Sequence, residues 1–95
     1  MAKKLRSAKH QNMIIFTKHA GNKFWILKRH NFSITEKQVL KALERQDLVD
    51  KSRLPLLIAQ RKIDGRRVLR VVYKQEFGIT KIITFYPARK KQYEK

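Results

Sequence analysis

The apolar positions of this chain change period along its length, and each period predicts a different element. Met13-Ile14-Ile15-Phe16 is a four-residue apolar run between polar neighbours, too short for a stable helix and suited to a strand. From His19 onward Ala20, Phe24, Trp25 and Leu27 recur at helical spacing. Lys28, Arg29 and His30 then place positive charge at the C-terminal end, where the backbone dipole favours it. Asn31 suits a left-handed cap. A second helix is predicted to start at Thr35, because Thr35 and Gln38 have the spacing of a capping box and Ile34 and Val39 that of a hydrophobic staple. Val39, Leu40 and Leu43 would be its buried stripe, with Lys37, Lys41 and Arg45 outside, and it would fade by Asp47.

After a loop through Lys51, Ser52, Arg53 and Pro55 the period falls to two. Asp64-Gly65 predicts a two-residue hairpin turn between strands Leu57–Ile63 and Arg66–Lys74. A turn at Glu76-Phe77-Gly78 leads to a third strand, Thr80–Tyr86, which Pro87 would end. Such turns set Ile58 opposite Val71 and Ala59 opposite Arg70, then Val71 opposite Ile83 and Arg70 opposite Thr84. Ile58, Leu69, Val71, Tyr73, Ile83 and Phe85 would face the helices; Ala59, Arg61, Val68, Arg70, Val72, Ile82, Thr84 and Tyr86 would face away. Two arginines and a tyrosine among short apolar side chains can bind a phosphate chain and offer a ring to a base. A half-exposed sheet also carries arginines simply as solvated residues. The expected fold class is α+β: a short N-terminal strand, two helices packed on one face of an antiparallel β-meander, and a short C-terminal basic segment.

Composition narrows the function. With 95 residues and 42% hydrophobic content the chain can build one core, so a single domain is expected over residues 12–95, preceded by a basic arm over residues 1–11 that carries Lys3, Lys4, Arg6 and Lys9. The 24 Lys and Arg against 7 Asp and Glu leave a net charge of +17. Solubility alone asks for a net charge of roughly 2 to 8 in a small domain, so a polyanion, RNA or the ribosome, is the expected partner. No apolar run approaches the roughly 20 residues of a membrane span, and no signal-type stretch follows the basic start; a cytoplasmic location is expected. The absence of cysteine excludes disulfides, thiolate metal sites and cysteine nucleophiles. His10, His19 and His30 are too scattered for a metal site, and seven dispersed acidic residues do not suggest a two-metal nuclease. There is no phosphate-cradling glycine loop and no glycine-flanked serine. No cofactor or metal is expected.

Several stretches together resemble a family of small prokaryotic domains grouped with the RelE/ParE toxin superfamily. They are Lys18-His19-Ala20, Phe24, Leu27-Lys28-Arg29-His30-Asn31-Phe32, Ile34-Thr35-Glu36-Lys37-Gln38-Val39, Arg70-Val71-Val72-Tyr73 and Phe85-Tyr86-Pro87-Ala88-Arg89-Lys90-Lys91-Gln92-Tyr93-Glu94. The resemblance runs from about Met13 to the C-terminus, and its order of strand, two helices and meander is RelE-like. Asn31 departs from the family's usual glycine, mildly, since asparagine tolerates the left-handed conformation. The resemblance implies a toxin paired with an acidic antitoxin and, for RelE-like members, a metal-independent endoribonuclease acting on messenger RNA, often at the ribosome. The superfamily also holds gyrase-directed ParE-like toxins, and a non-catalytic RNA- or ribosome-binding module could share the fold.

Metal-independent RNA cleavage needs a base for the ribose 2′-hydroxyl, cations for the charge building on the phosphate, and an acid for the leaving oxygen. Arg70 and Arg89 could hold the phosphate bidentately, with Tyr86 or Tyr93 stacking on a base or moving a proton. His19 has the natural pKa for a base, though a histidine at a helix start is also a common cap or packing residue. Arg61, Lys74, Lys90 and Lys91 are the expected RNA-binding cations.

Overall fold

The computed structural model describes residues 13–90. In chain order they form β1 (Met13–Phe16), α1 (Lys18–Arg29), α2 (Glu36–Glu44), β2 (Leu48–Arg53), β3 (Leu56–Lys62), β4 (Arg67–Glu76) and β5 (Ile79–Arg89). The five strands make one sheet in the order β1-β5-β4-β3-β2. β1 runs parallel to β5, and the other neighbours are antiparallel. The arm expected over residues 1–11 lies outside the described residues.

Local chemistry sets the helix ends. Thr17 caps α1, its hydroxyl accepting from the Ala20 N–H at 3.2 Å. At the other end Asn31 takes φ 62°; its N–H donates to the Lys28 carbonyl, and that of Phe32 donates to Leu27. Those paired bonds close a Schellman turn and satisfy carbonyls that the helix would otherwise orphan. The capping box at Thr35 and Gln38 is formed in both directions. Ile34 and Val39, the staple pair, are both buried in the core.

Both helices contribute to one cluster against one face of the sheet, in which Ala20, Ile34, Val39 and Ala42 meet Leu69, Val71, Ile82 and Phe85. Phe24 joins it, its ring 4.6 Å from that of Phe85. Phe85, Ile82, Val39 and Val71 are the largest fully buried side chains, each stabilising the fold by roughly 1.5–3 kcal/mol through area removed from water.

The class is α+β, but the RelE-like arrangement of two helices on a three-stranded antiparallel meander is not what forms. The sheet is five-stranded and mixed, and the layout is strand-rich with short helices. Leu48–Arg53, which follows the expected helix end at Asp47 and was expected to run into a loop, is an edge strand paired to β3. Its two leading apolar residues are too few to reveal it. Pro87 does not end the last strand, which runs on to Arg89 with Pro87 opposite Leu69. β1 reaches only as far as Ile82, so among the described residues one side of β5 has no strand at Pro87, and a missing N–H there breaks no ladder.

The registers also differ from expectation. Ile58 lies opposite Val72, Ala59 opposite Val71 and Gln60 opposite Arg70. Asp64 is the cause: its Oδ1 accepts from the N–H groups of both Arg66 and Arg67, at 2.8 and 2.9 Å. This lengthens the loop by one residue, with Ile63 N–H donating to the Arg67 carbonyl. A slip of one residue reverses which way every side chain of β3 points. Ala59 and Arg61 therefore fall on the helix-bearing face, and Ile58 on the other. At the next turn Phe77 and Gly78 both take positive φ, 49° and 77°. An irregularity between Val72 and Tyr73 then shifts the ladder, setting Val71 opposite Phe85 and Arg70 opposite Tyr86, and Ile82 joins the helix-side core.

Candidate polyanion interface

Arg70 and Tyr86 do come together, directly opposite one another on β4 and β5, with the Arg70 Nε donating to the Tyr86 hydroxyl at 3.1 Å. They are not an open phosphate site. The Arg70 side chain is only 4% exposed. One terminal nitrogen donates to Gln60 Oε1 at 2.6 Å and the other to Asp50 Oδ2 at 2.8 Å. Asp50 comes from β2, the strand hidden in the sequence. Hydrogen bonds from Ser52 and then Arg70 hold its carboxyl far below the usual carboxylate range. Burial opposes the Arg70 charge, but the bonds to Asp50 and Tyr86 outweigh it and raise the guanidinium's pKa. A guanidinium so enclosed ties its own strand to three others and has little left to offer a phosphate.

The other expected residues do not gather around it. Arg61 lies opposite Leu69 on the helix-bearing face. Arg89 lies opposite Arg67 at the end of that same face, and the Arg67 guanidinium stacks 5.0 Å above the Phe32 ring. His19 is exposed on the first turn of α1. Lys74 is near the Phe77 turn, paired with Glu76 at 3.3 Å, and Lys81 reaches the same carboxylate. The Lys90 N–H donates to the Arg66 carbonyl at 2.8 Å. Lys91 and Tyr93 lie outside the described residues. The expected cluster of Arg61, Arg70 and Tyr86 is thus divided between two faces, and Arg89 and His19 are not joined to it.

What the fold builds instead is a basic cleft of about 130 Å³ between α2 and the hairpin end of β3 and β4, lined by Gln38, Lys41, Arg61, Lys62, Ile63 and Leu69. α2 turns Gln38 and Lys41 toward it, one helical turn apart. Arg61 is held in place by its Nη1, which donates at 2.8 Å to the carbonyl of Arg45, the C-cap of α2. That bond satisfies a helix-end acceptor and fixes the guanidinium at the rim. Ile63 and Leu69 give the cleft an apolar floor. No lining residue is acidic. Arg66, Arg67 and Arg89 extend the positive charge along the same end of the sheet.

Asp47 and Asp64 stand near this end, and both already accept backbone N–H groups, while Glu44 lies one helical turn from Lys41. Asp47 Oδ2 accepts from Lys62 at 2.9 Å, and Asp64 accepts from Arg66 and Arg67, bonds that lower its pKa. Lys41, Arg61, Arg66, Arg67 and Arg89 outweigh these carboxylates, leaving a surplus that an anionic chain can neutralise. Lys41 was legible only as a solvated lysine, because the cleft exists only once α2 docks beside a hairpin distant from it in sequence.

Among the described residues no group of His, Asp or Glu is placed to hold a metal ion, and no helix is long and apolar enough to cross a membrane. Comparison with protein-family models, with curated proteins and with solved structures gives no match to this chain.

Proposed function

We propose that this domain is a non-catalytic RNA-binding module, acting on RNA or an RNA-rich particle such as the ribosome, with the α2–hairpin cleft as its phosphate contact. The supporting observation is the convergence of Lys41 and Arg61 on an apolar-floored cleft free of acidic lining, in a chain of net charge +17. The Arg61 guanidinium and the point charge of Lys41 suit a phosphodiester oxygen pair. A cytoplasmic location accords with this reading.

A ribonuclease toxin held by an acidic antitoxin is the second reading. It draws on the same basic end as a partner surface, but it needs Arg70, Arg89, Tyr86 and His19 around one phosphate. Incubation of the protein with labelled single-stranded RNA in EDTA, with and without ribosomes, separates the two. Salt-sensitive binding with intact RNA is expected; cleavage that Arg70→Ala abolishes without unfolding the protein would overturn the module in favour of the toxin.

A further inference from the structure

α1 carries a second feature that the cleft does not explain. Trp25, the single tryptophan of the chain, is 62% exposed on the last turns of this helix. The Arg29 guanidinium lies 4.8 Å from its ring centroid, an i, i+4 stack. Beside it Phe24, Trp25, Lys28, Ser33 and Ile34 line an open groove of about 380 Å³, within the roughly 300–1,000 Å³ typical of small-ligand clefts. None of these residues is acidic, and α1 itself contains no Asp or Glu while carrying Lys18, Lys23, Lys28 and Arg29.

A tryptophan exposed to this degree contributes little to the core, and burying its ring against a ligand would remove a large apolar area from water. Flanking cations select an anion and repel a cationic ligand; the flat ring selects a planar one. Ser33 adds a hydroxyl that can donate or accept a hydrogen bond at a base edge. A ligand both planar and anionic is a nucleotide whose base is free to stack, which in RNA means an unpaired one. The Phe32–Ile34 segment leads from this groove into α2, and Phe32 carries Arg67 of the basic end on its ring.

We infer that Trp25, braced by Arg29 and bordered by Lys28 and Ser33, is a stacking platform for an unpaired nucleobase, so that the domain prefers single-stranded RNA to duplex. This rests on the RNA-binding reading and adds the base contact to it.

The experiment titrates the full chain with oligoadenylate and with an abasic strand of equal length, following Trp25 fluorescence and, separately, the polarisation of end-labelled strands. Polyglutamate serves as an acidic-chain control. Oligoadenylate is expected to quench Trp25 where the abasic strand and polyglutamate bind without quenching. Trp25→Ala should weaken oligoadenylate about tenfold and the abasic strand hardly at all, with Trp25→Phe intermediate. Thermal melting establishes that the variants are folded.

Equal quenching by polyglutamate, or equal loss of both strands in Trp25→Ala, overturns the platform while leaving phosphate binding intact. A change in oligomeric mass with unchanged oligoadenylate affinity assigns the groove to contact between copies, which also overturns it. If neither strand binds the wild-type chain, the RNA-binding reading itself fails.

Discussion

Arg70 of β4 reaches over β3 to meet Asp50 of β2 at 2.8 Å, and the two are unequally buried, with 4% of the arginine side chain exposed against 26% of the aspartate. The inequality decides which partner is harder to lose. Asp50 left alone can turn to water. Arg70 without that carboxylate keeps a charge in a site where solvent scarcely reaches it.

Asp50→Ala is therefore expected to cost about 3 kcal/mol, the range found when a buried pair loses one member. Arg70→Met, which fills the same space with an apolar chain, should cost clearly less. Urea unfolding of both variants measures the difference; equal losses would show that the pair is screened like a surface ion pair.

The same pair gives an acid limb to stability. The folded-state pKa of Asp50 is depressed, so its contribution is fully present above the unfolded value of roughly 3.9 and fades as pH falls toward the folded value. Asp64 is shifted in the same direction by the Arg66 and Arg67 N–H groups. Melting temperature should hold steady from neutrality to about pH 5 and then drop below about pH 4. Asp50→Asn should start lower and lose part of that drop.

Phe77 offers a gain. It is 99% exposed and sits at φ 49°, a conformation in which a bulky side chain is strained and asparagine is not. Phe77→Asn should raise stability by about 0.5–1 kcal/mol, because the two-residue turn with Gly78 then has the residues it favours. A loss on chemical denaturation would mean that the aromatic ring makes contacts that its exposure conceals.

Sequence legibility follows the range of the interactions. Asn31, Thr35 and Gln38 act within a few residues of themselves, so their caps can be read from the chain and are present in the fold. The hairpin at Asp64-Gly65 was equally visible, but its length depends on a side chain that captures two backbone donors. That one extra residue sent Arg61 to the opposite face from Arg70. β2 was hidden because Leu48–Arg53 has little apolar pattern and gains its strand form from pairing with β3. Leu69, Val71 and Phe85 were placed on the helix side as they are found, since both their β4 alternation and the shifted β5 ladder keep that side. The cleft lay beyond reach: Lys41 and Arg61 are 20 positions apart, and only the docking of α2 against the β3–β4 hairpin brings both to its lining.

The basic cleft is tested most directly by the salt dependence of single-stranded RNA affinity. Each phosphate contact contributes about 0.7 to the slope of log affinity against log salt for a single strand. Lys41→Ala/Arg61→Gln, in which the glutamine amide can still donate to the Arg45 carbonyl, should reduce that slope by about 1.4 relative to the wild-type chain, with melting behaviour retained. Lys51→Ala/Arg53→Ala on β2 serves as the matched control and should leave the slope nearly unchanged. A slope that falls equally in both double variants, or in neither, would contradict a localised phosphate contact at the α2–hairpin cleft.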